Sequence, residues 1–163
     1  MDNSDTNKSI VEEYIESVDT EIVEFINSVI EGKAAKKYVR VAEISDRLAS
    51  DIFELTGKQI KENLVILDSN AIKHIVKRHG IDGAQDQSMA DIRDIARMGY
   101  VIRNYDQVLF DGRASTGYVD ENQQASPMMT IKKRINGTYY IITATGSVAN
   151  KRSYIVSAYI TKA

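Results

Sequence analysis

The chain contains no cysteine and no tryptophan, only one proline and only two histidines among its 163 residues. The absence of cysteine excludes disulfide bonds and thiolate metal sites, and two histidines leave few ligands for a zinc site. Apolar runs such as 139–142 are far shorter than the about 20 residues that a membrane-spanning helix needs. We therefore expect neither a membrane segment nor a metal or other cofactor.

Charge is unevenly distributed along the chain, although the formal net charge is only −2. Residues 1–31 contain nine acidic residues and one lysine, a net of −8, so residues 32–163 carry 20 basic and 14 acidic residues, a net of +6. This asymmetry predicts an acidic helical extension, residues 1–36, on a basic domain, residues 37–163. The N-terminus has neither a basic start nor an apolar run behind it, so we expect no secretory signal and a cytoplasmic protein.

Helical periodicity dominates the first part of the chain. Over residues 9–31 the apolar residues recur every three or four positions, with a capping box at Ser9 and Glu12 and a stop at Gly32. Three further helices are expected, the last of them capped by Ser88, at 45–56, 68–79 and 88–98. Glycines end all three, and we expect Gly80 to take the left-handed conformation that such positions favour.

Period-two alternation predicts the strands. Two short strands are expected between the helices, and the others follow them, at 38–44, 65–67, 100–103, 107–111, 128–135, 138–145 and 153–161. Residues 112–126 are polar and are typical of a loop. Helices followed by an antiparallel meander indicate an α+β fold, so we expect helices packed on one face of a four- to five-stranded antiparallel sheet.

Asn136-Gly137 marks a hairpin between two of the long strands. This dipeptide favours a two-residue type I′ loop, which fixes the pairing of the residues on either side. In that register Tyr140 lies on the apolar face, while Lys132 and Arg134 lie with Tyr139 on the other. The second face would then present cations and hydroxyls, as an anion-binding surface requires.

The two histidines lie five positions apart on the helix at 68–79. At about 100° per residue they point about 140° apart, so they do not share a helix face. His79 falls on the apolar stripe with Ile72 and Ile75, where the helix meets the sheet, whereas His74 points away. From spacing alone, His79 is equally well a core histidine bonded to a backbone carbonyl, and His74 a surface residue.

A histidine, cations and hydroxyls on one surface are the groups that cleave RNA without a metal ion. A base takes the proton from the ribose 2′-OH, that oxygen attacks the adjacent phosphorus, and an acid protonates the departing 5′ oxygen. Histidine serves either transfer, while Lys or Arg stabilises the phosphoryl charge. The candidates are His79, Lys132, Ser157 and Tyr159 for catalysis, and Arg78, Arg134, Thr143 and Thr145 for substrate binding. The strand residues among them are also compatible with the solvated face of a half-exposed sheet.

The segment Val65–Gly80, VILDSNAIKHIVKRHG, resembles the phage-associated nuclease domains of the barnase–EndoU–colicin–RelE group. The similarity covers residues 38–162 and includes the H-x-x-x-x-H-G helix and the closing strand Tyr154–Ile160. Such domains occur in prophage proteins, at the ends of head-morphogenesis proteins and in polymorphic toxins, as helices packed on an antiparallel sheet. The resemblance implies RNase activity, with residues 1–36 outside the shared region.

The resemblance also implies roles for individual residues. His79 would transfer a proton, His74 would be the second proton-transfer group, and Lys132, Ser157 and Tyr159 would act on the phosphate. The chain would then be a metal-independent endoribonuclease of the toxin type that leaves a 2′,3′-cyclic phosphate. RNA, including tRNA, would be the substrate, and an immunity or inhibitor protein would be a partner inside a bacterial cell.

Two other hypotheses concern the helix at 9–31. In the first, the chain is a non-catalytic phage structural or protein-interaction module that keeps the nuclease-like fold. This helix would then bind a partner protein or a second copy of the chain. In the second, the acidic helix covers the basic face of the domain and restrains its activity.

Overall fold

The computed structural model describes residues 9–60, 64–119, 123–147 and 152–162. Residues 1–8 of the acidic extension lie outside these ranges. Within these ranges the helices come first, with two strands between them, and the other strands follow. The order is α1 (Ile10–Glu16), α2 (Thr20–Ile30), β1 (Tyr38–Glu43), α3 (Asp46–Thr56), β2 (Leu64–Asp68), α4 (Ser69–His79), α5 (Ile92–Ala96), α6 (Met98–Arg103), β3 (Gln107–Leu109), β4 (Ala114–Val119), β5 (Ala125–Arg134), β6 (Gly137–Ser147) and β7 (Arg152–Lys162).

The strands form one sheet in the order β1-β2-β7-β6-β5-β3, and β4 pairs with β5 outside this path. The neighbours are antiparallel except for a short parallel pairing of β2 with β7. The apolar residues of the helices pack with one face of the sheet in a single core that includes Ile22, Leu48, Ile72, Val101 and Ile141. The predicted α+β class is confirmed, and the sheet is larger than the predicted four to five strands.

Capping residues set the helix ends largely as the sequence predicts. Ser45 and Asp68 cap α3 and α4, and Gly57 ends α3 with a φ of 72°. The single helix expected over residues 9–31 is instead two helices, because Asp19 accepts hydrogen bonds from the N–H groups of Glu21 and Ile22 and starts α2. A carboxylate that bonds the free N–H groups of a first turn begins a new helix.

Residues 100–103 are helical, so the strand predicted there is wrong. They belong to α6, in which Gly99 lies inside the helix and does not end it. A side chain at Gly99 would place its Cβ 2.7 Å from the carbonyl oxygen of Val41, so the glycine allows α6 to approach β1 closely. The loop expected over 112–126 is also wrong in part, because it contains β4.

The pairing of β5 with β6 differs by one residue from the predicted register. Arg134 pairs with Thr138, so the loop spans the three residues 135–137, where a two-residue loop would have paired Ile135 with Thr138. A shift of one residue turns every side chain of a strand to the opposite face. Tyr139 therefore lies in the core and Tyr140 lies outside, the reverse of the prediction.

Burial of Tyr139 accounts for this register. Its side chain is fully buried, and its hydroxyl donates a 2.6 Å hydrogen bond to the carbonyl oxygen of Asp94. Its ring also meets Tyr14 edge to face, with centroids 6.0 Å apart. A buried tyrosine with a satisfied hydroxyl outweighs the preference of Asn-Gly for the shorter loop, and three-residue loops are the next most common hairpin connection.

Strand β7 contains a bulge that changes one predicted side-chain direction. Ile142 pairs with Ser157 but Thr143 pairs with Ile155, so Val156 is the extra residue. A bulge of one residue reverses the alternation beyond it. Ile155 is consequently buried in the core, although strict alternation predicts that it shares a face with Ser157 and Tyr159.

Helices α1 and α2 are built into the core. Ile22 and Ile26 are fully buried there, the Tyr14 hydroxyl donates to Asp94 Oδ1 at 2.7 Å, and Arg97 donates to the carbonyl oxygen of Ile15. The apolar stripe expected to bind a partner protein or a second copy is therefore largely covered within the chain itself. Because α1 packs on the Tyr139 side of the sheet, the hypothesis that the acidic helix covers the face of Lys132 and Arg134 is wrong.

We expect Ile26→Ala to lower the free energy of unfolding by about 2–5 kcal/mol, because it opens a cavity in the shared core. Ile30→Ala is the matched control: Ile30 is 55% exposed in the same helix, and its truncation should cost less than about 0.5 kcal/mol. Urea unfolding measures both values. Equal, small effects would mean that α2 is not part of the domain core.

The register predicts opposite sensitivities for two adjacent tyrosines. Tyr139→Phe leaves the carbonyl of Asp94 without its buried donor and should cost about 1–3 kcal/mol, whereas Tyr140→Phe on the exposed face should change stability by less than about 0.5 kcal/mol. Thermal unfolding of the two variants checks this. A larger decrease for Tyr140→Phe would support the register with the two-residue loop.

Candidate active site

The side of β5, β6 and β7 that faces away from the helices carries the candidate site, and we call it the open face. Its central row runs across three strands, because Lys132 pairs with Tyr140 and Tyr140 pairs with Tyr159. His79, at the end of α4, continues the row beyond β7. We call these four residues the ladder.

Neighbouring rings of the ladder stack on one another. The His79 and Tyr159 rings have centroids 5.2 Å apart and planes at 26°, and the Tyr159 and Tyr140 rings have centroids 5.0 Å apart and planes at 21°. Lys132 Nζ lies 5.7 Å from the Tyr140 centroid, within the range of a cation–π contact. The ladder therefore places an imidazole, two phenols and an ammonium in one line.

The loop after α4 contacts the Nδ1 side of the His79 ring. Only 5% of the His79 side chain is exposed, and its Nδ1 lies 3.0 Å from Asp86 Oδ1. Nδ1 is fully buried and has no hydrogen-bond partner among the described residues, so Asp86 is a close contact that lies outside hydrogen-bond geometry. The remaining exposure of the imidazole side chain lies away from Nδ1, and any proton exchange with a ligand would use Nε2.

The loop after α4 folds back on the last turn of the helix. The N–H of Met89 donates to the carbonyl oxygen of His79 at 2.7 Å, and the Ser88 hydroxyl accepts from the N–H of Ile160 in β7 at 3.0 Å. Ser88 thus binds the sheet and does not cap α5, which Asp91 caps. The loop joins the end of α4 to β7 and sets the His79 ring against Tyr159.

Gly80 has an extended conformation, with φ −82° and ψ −163°, so the predicted left-handed cap is wrong. Glycine is required there for a different reason. A Cβ at this position would lie 2.6 Å from the carbonyl oxygen of Val76. The close approach lets the chain turn tightly after His79 and begin the loop that carries Asp86.

The rows beside the ladder carry hydroxyls and a further cation. On one side Ser157 pairs with Ile142, and Ser157 is buried. On the other side Arg134, Thr138 and Thr161 form a row in which Arg134 and Thr161 are exposed. Lys132, Ser157 and Tyr159 therefore share the open face, with Arg134 at its edge.

Arg113 is a further cation, whose charge acts on the Tyr159 hydroxyl of the ladder, and its position follows from no pattern in the sequence. It precedes β4, and its guanidinium forms a 2.8 Å ion pair with Asp111. The pKa of the Tyr159 hydroxyl is raised by partial burial, then by Tyr140, and the positive charge of Arg113 opposes the rise. Tyr159 thus stays protonated at neutral pH and can donate a hydrogen bond to an anion.

Strand β4 covers the other half of the open face. Tyr118 stacks on Tyr154 with centroids 4.6 Å apart, and its hydroxyl donates to Asp68 Oδ2 at 3.3 Å. Burial, followed by the charge of Asp68 and this hydrogen bond, raises the pKa of Tyr118 to about 12. Tyr154 is buried beneath Tyr118, so this pair offers no free ring face, whereas Tyr140 and Tyr159 of the ladder are partly exposed.

Four of the predicted site residues lie neither in the ladder nor in the rows beside it. Thr143 and Thr145 are buried, and their hydroxyl oxygens are 2.9 Å apart and bonded to each other, so the prediction that they bind substrate is wrong. Arg78 is exposed on α4. His74 is half-buried on α4, where burial, then Arg78, His79 and Lys77, lowers its pKa below the ordinary value.

Potential metal ligands are scattered in the part of the chain that the structure describes. Among the described residues, no group of three or more Asp, Glu, His or Cys residues is arranged to hold a metal ion. Within the same ranges, every helix is too short or too polar to cross a lipid bilayer.

Residues 42–163 match the protein family described as phage-Barnase-EndoU-ColicinE5/D-RelE like nuclease 3. The chain belongs to this family. No curated protein and no solved structure gives a significant match. Family membership indicates a nuclease function with nucleic acid as the substrate, in a phage-associated context. It confirms the resemblance seen in the sequence, and the toxin role and the inhibitor partner stay predictions.

Three residues of the candidate site could not be assigned from the sequence. The two-residue hairpin register places Tyr140 on the wrong face of the sheet. The sequence does show the ambiguity, because Tyr139 and Tyr140 are adjacent and either of them could be the buried one. Asp86 and Arg113 lie in segments expected to be loops, where periodicity gives no direction for a side chain. Only the contact of Asp86 with His79 and the effect of the Arg113 charge on Tyr159 single them out.

Asp86 should make the stability of the nuclease pH-dependent. Partial burial raises the pKa of Asp86. Hydrogen bonds from the N–H and hydroxyl of Ser88 and the contact with His79 together lower it by more than burial raises it, so the pKa lies below the ordinary value. A carboxylate with a depressed pKa stabilises the folded state above its unfolded pKa of about 3.9, and this contribution is lost as pH falls through the folded pKa.

Asp86→Asn should therefore be less stable than the parent at pH 7, and the difference should shrink below about pH 4. Urea unfolding across this pH range measures it. The control is Asp82→Asn in the same loop, where φ is 58°, a conformation that asparagine also tolerates. A difference that is unchanged at low pH would contradict a stabilising role for the ionised Asp86 carboxylate.

Proposed function

We propose that the chain is a metal-independent endoribonuclease that cleaves RNA by attack of the 2′-OH and leaves a 2′,3′-cyclic phosphate. The observation that supports this is the ladder, in which a proton-transfer group, two phenols and an ammonium lie in one row of the open face. RNA, including tRNA, is the substrate class that supplies the required 2′-OH.

The reaction needs one proton removed and one delivered. The 2′ oxygen loses its proton and forms a bond to the adjacent phosphorus, the bond from phosphorus to the 5′ oxygen breaks, and that oxygen takes a proton. His79 serves one of these transfers through Nε2, because Asp86 lies at Nδ1 and orients the ring.

The negative charge that grows on the phosphoryl oxygens requires fixed positive groups. Lys132 at the end of the ladder away from His79, Arg134 at the edge of the open face, and Arg113, whose charge acts on the Tyr159 hydroxyl, supply positive charge on this side of the sheet. Tyr159, protonated at neutral pH, donates a hydrogen bond to a phosphoryl oxygen, with Ser157 in the adjacent row. Such preorganised donors stabilise the transition state more than the ground state.

His74 is the candidate for the second proton transfer. Its lowered pKa keeps the imidazole neutral at pH 7, which is the form that a base requires. No contact among the described residues joins it to Lys132, Tyr140 or Tyr159, so its role depends on the resemblance and on the proximity of His79 along α4. A substitution there separates a catalytic role from a surface position.

RNA cleavage in EDTA tests the proposal. The parent should cleave labelled tRNA or total RNA and leave cyclic phosphate ends that mass spectrometry detects. We expect His79→Ala to lower kcat about 10²- to 10⁴-fold and Lys132→Ala about 10²- to 10³-fold. His74→Ala should lower kcat only if His74 is the base.

The controls use the same chain and the same RNA. Lys73→Ala removes an exposed cation on α4 outside the site and should leave the rate unchanged. An RNA with a 2′-deoxynucleotide at the cut position should resist cleavage. A folded parent that does not cleave RNA would contradict the proposal and favour a non-catalytic module, and a parent that cleaves only without EDTA would contradict metal independence.

A further inference from the structure

Tyr140 has one ring face that is not packed against another ring of the ladder. Tyr159 stacks on one side at 5.0 Å, and on the other side the Lys132 ammonium lies 5.7 Å from the ring centroid. Tyr140 itself is half-buried. By contrast, the Tyr118–Tyr154 stack is closed, since Tyr154 is buried and the Tyr118 hydroxyl is bonded to Asp68.

The Lys132 ammonium, which lies over the second face of the Tyr140 ring, can move. A lysine side chain has four rotatable bonds and binds as a point charge, so its ammonium can leave the ring for a phosphate while the strand stays in place. A nucleobase presents a flat π surface that stacks on tyrosine whatever its sequence. A base over Tyr140 and a phosphate on Lys132 would thus satisfy both side chains at once.

A basic depression adjoins the Lys132 end of the ladder. It is lined by Lys132, Arg134 and Lys162 with Thr138 between them, and by the single carboxylate of Asp106. That carboxylate already accepts from Lys133 Nζ at 3.3 Å and from the N–H of Arg134 at 2.7 Å. The depression therefore carries an excess of positive charge, as a site for a backbone phosphate requires.

We propose that Tyr140 is a nucleobase-stacking subsite and that the depression holds the neighbouring phosphate, so that the nuclease takes single-stranded RNA. This inference rests on the proposed function for the identity of the nucleic acid. A base in a duplex is stacked between its neighbours and cannot reach the face of Tyr140, whereas an unpaired base can be turned out of the strand.

Binding of an uncleavable probe tests the subsite separately from catalysis. The probe is a labelled 2′-O-methyl RNA of about ten nucleotides, which lacks the attacking hydroxyl, and fluorescence anisotropy gives its Kd. Tyr140→Phe keeps the ring and should bind within about twofold of the parent. Tyr140→Leu removes the ring and should bind about 5- to 100-fold more weakly. Tyr38→Leu, at an exposed tyrosine on β1, is the control and should bind as the parent does.

An abasic strand of equal length isolates the base. Removal of the Tyr140 ring should not weaken binding of that strand, because no base is present to stack. Equal weakening on the abasic and the base-bearing strands, an unchanged Kd for Tyr140→Leu, or duplex binding as tight as single-strand binding would each overturn the subsite. Circular dichroism confirms that the variants fold, as expected for an open-face position.

Salt dependence tests the depression. Arg134→Gln with Lys162→Gln should reduce the slope of log Kd against log salt by about 0.7 for each phosphate that is no longer neutralised, whereas Lys73→Gln should leave it unchanged. An unchanged slope for the double variant would overturn the phosphate site. Weaker binding by Tyr140→Leu, in a chain that does not cleave natural RNA, would refute the proposed nuclease mechanism but not the subsite. Cleavage of natural RNA by a chain whose Kd does not change with Tyr140→Leu would refute the subsite but not the mechanism.

Discussion

The burial of Tyr139 is the constraint on which both the core and the open face depend. Its ring meets Tyr14 in the core, and its hydroxyl bonds the carbonyl oxygen of Asp94. Because strand residues alternate between faces, a buried Tyr139 requires Tyr140 on the other side of the sheet. The same register brings Lys132 opposite Tyr140 and so assembles the ladder.

The core side of the sheet is organised around Asp94 and Arg97. Tyr14 donates to the Asp94 carboxylate, Tyr139 donates to its carbonyl, and Arg97 binds both Asp94 and the carbonyl oxygen of Ile15. Buried polar groups of this kind are costly unless every partner is present. The network therefore couples the acidic N-terminal helices to the sheet, and it leaves them on the side away from the cations of the open face.

The site combines groups from strands with groups from loops. Lys132, Tyr140 and Tyr159 are placed by strand pairing, which is rigid and independent of their own contacts. His79 is placed by a helix end and by the loop that folds back on it, and Arg113 comes from the segment before β4. A rigid row that positions a substrate beside loop-borne charged groups is a common arrangement in enzymes, because loops can vary while the scaffold stays constant.

The sequence by itself determined what depends on local pattern. Capping residues placed the starts of α3 and α4, alternation put Lys132 and Tyr159 on the outer faces of their strands, and the H-x-x-x-x-H-G segment identified the nuclease family. Tertiary structure alone decided the register of β6, the turn at Gly80 and the positions of Asp86 and Arg113 near the ladder. Local preference for a two-residue loop is worth less than the burial of a large aromatic ring with its hydrogen bond, and loop side chains take their directions only from the surfaces they meet.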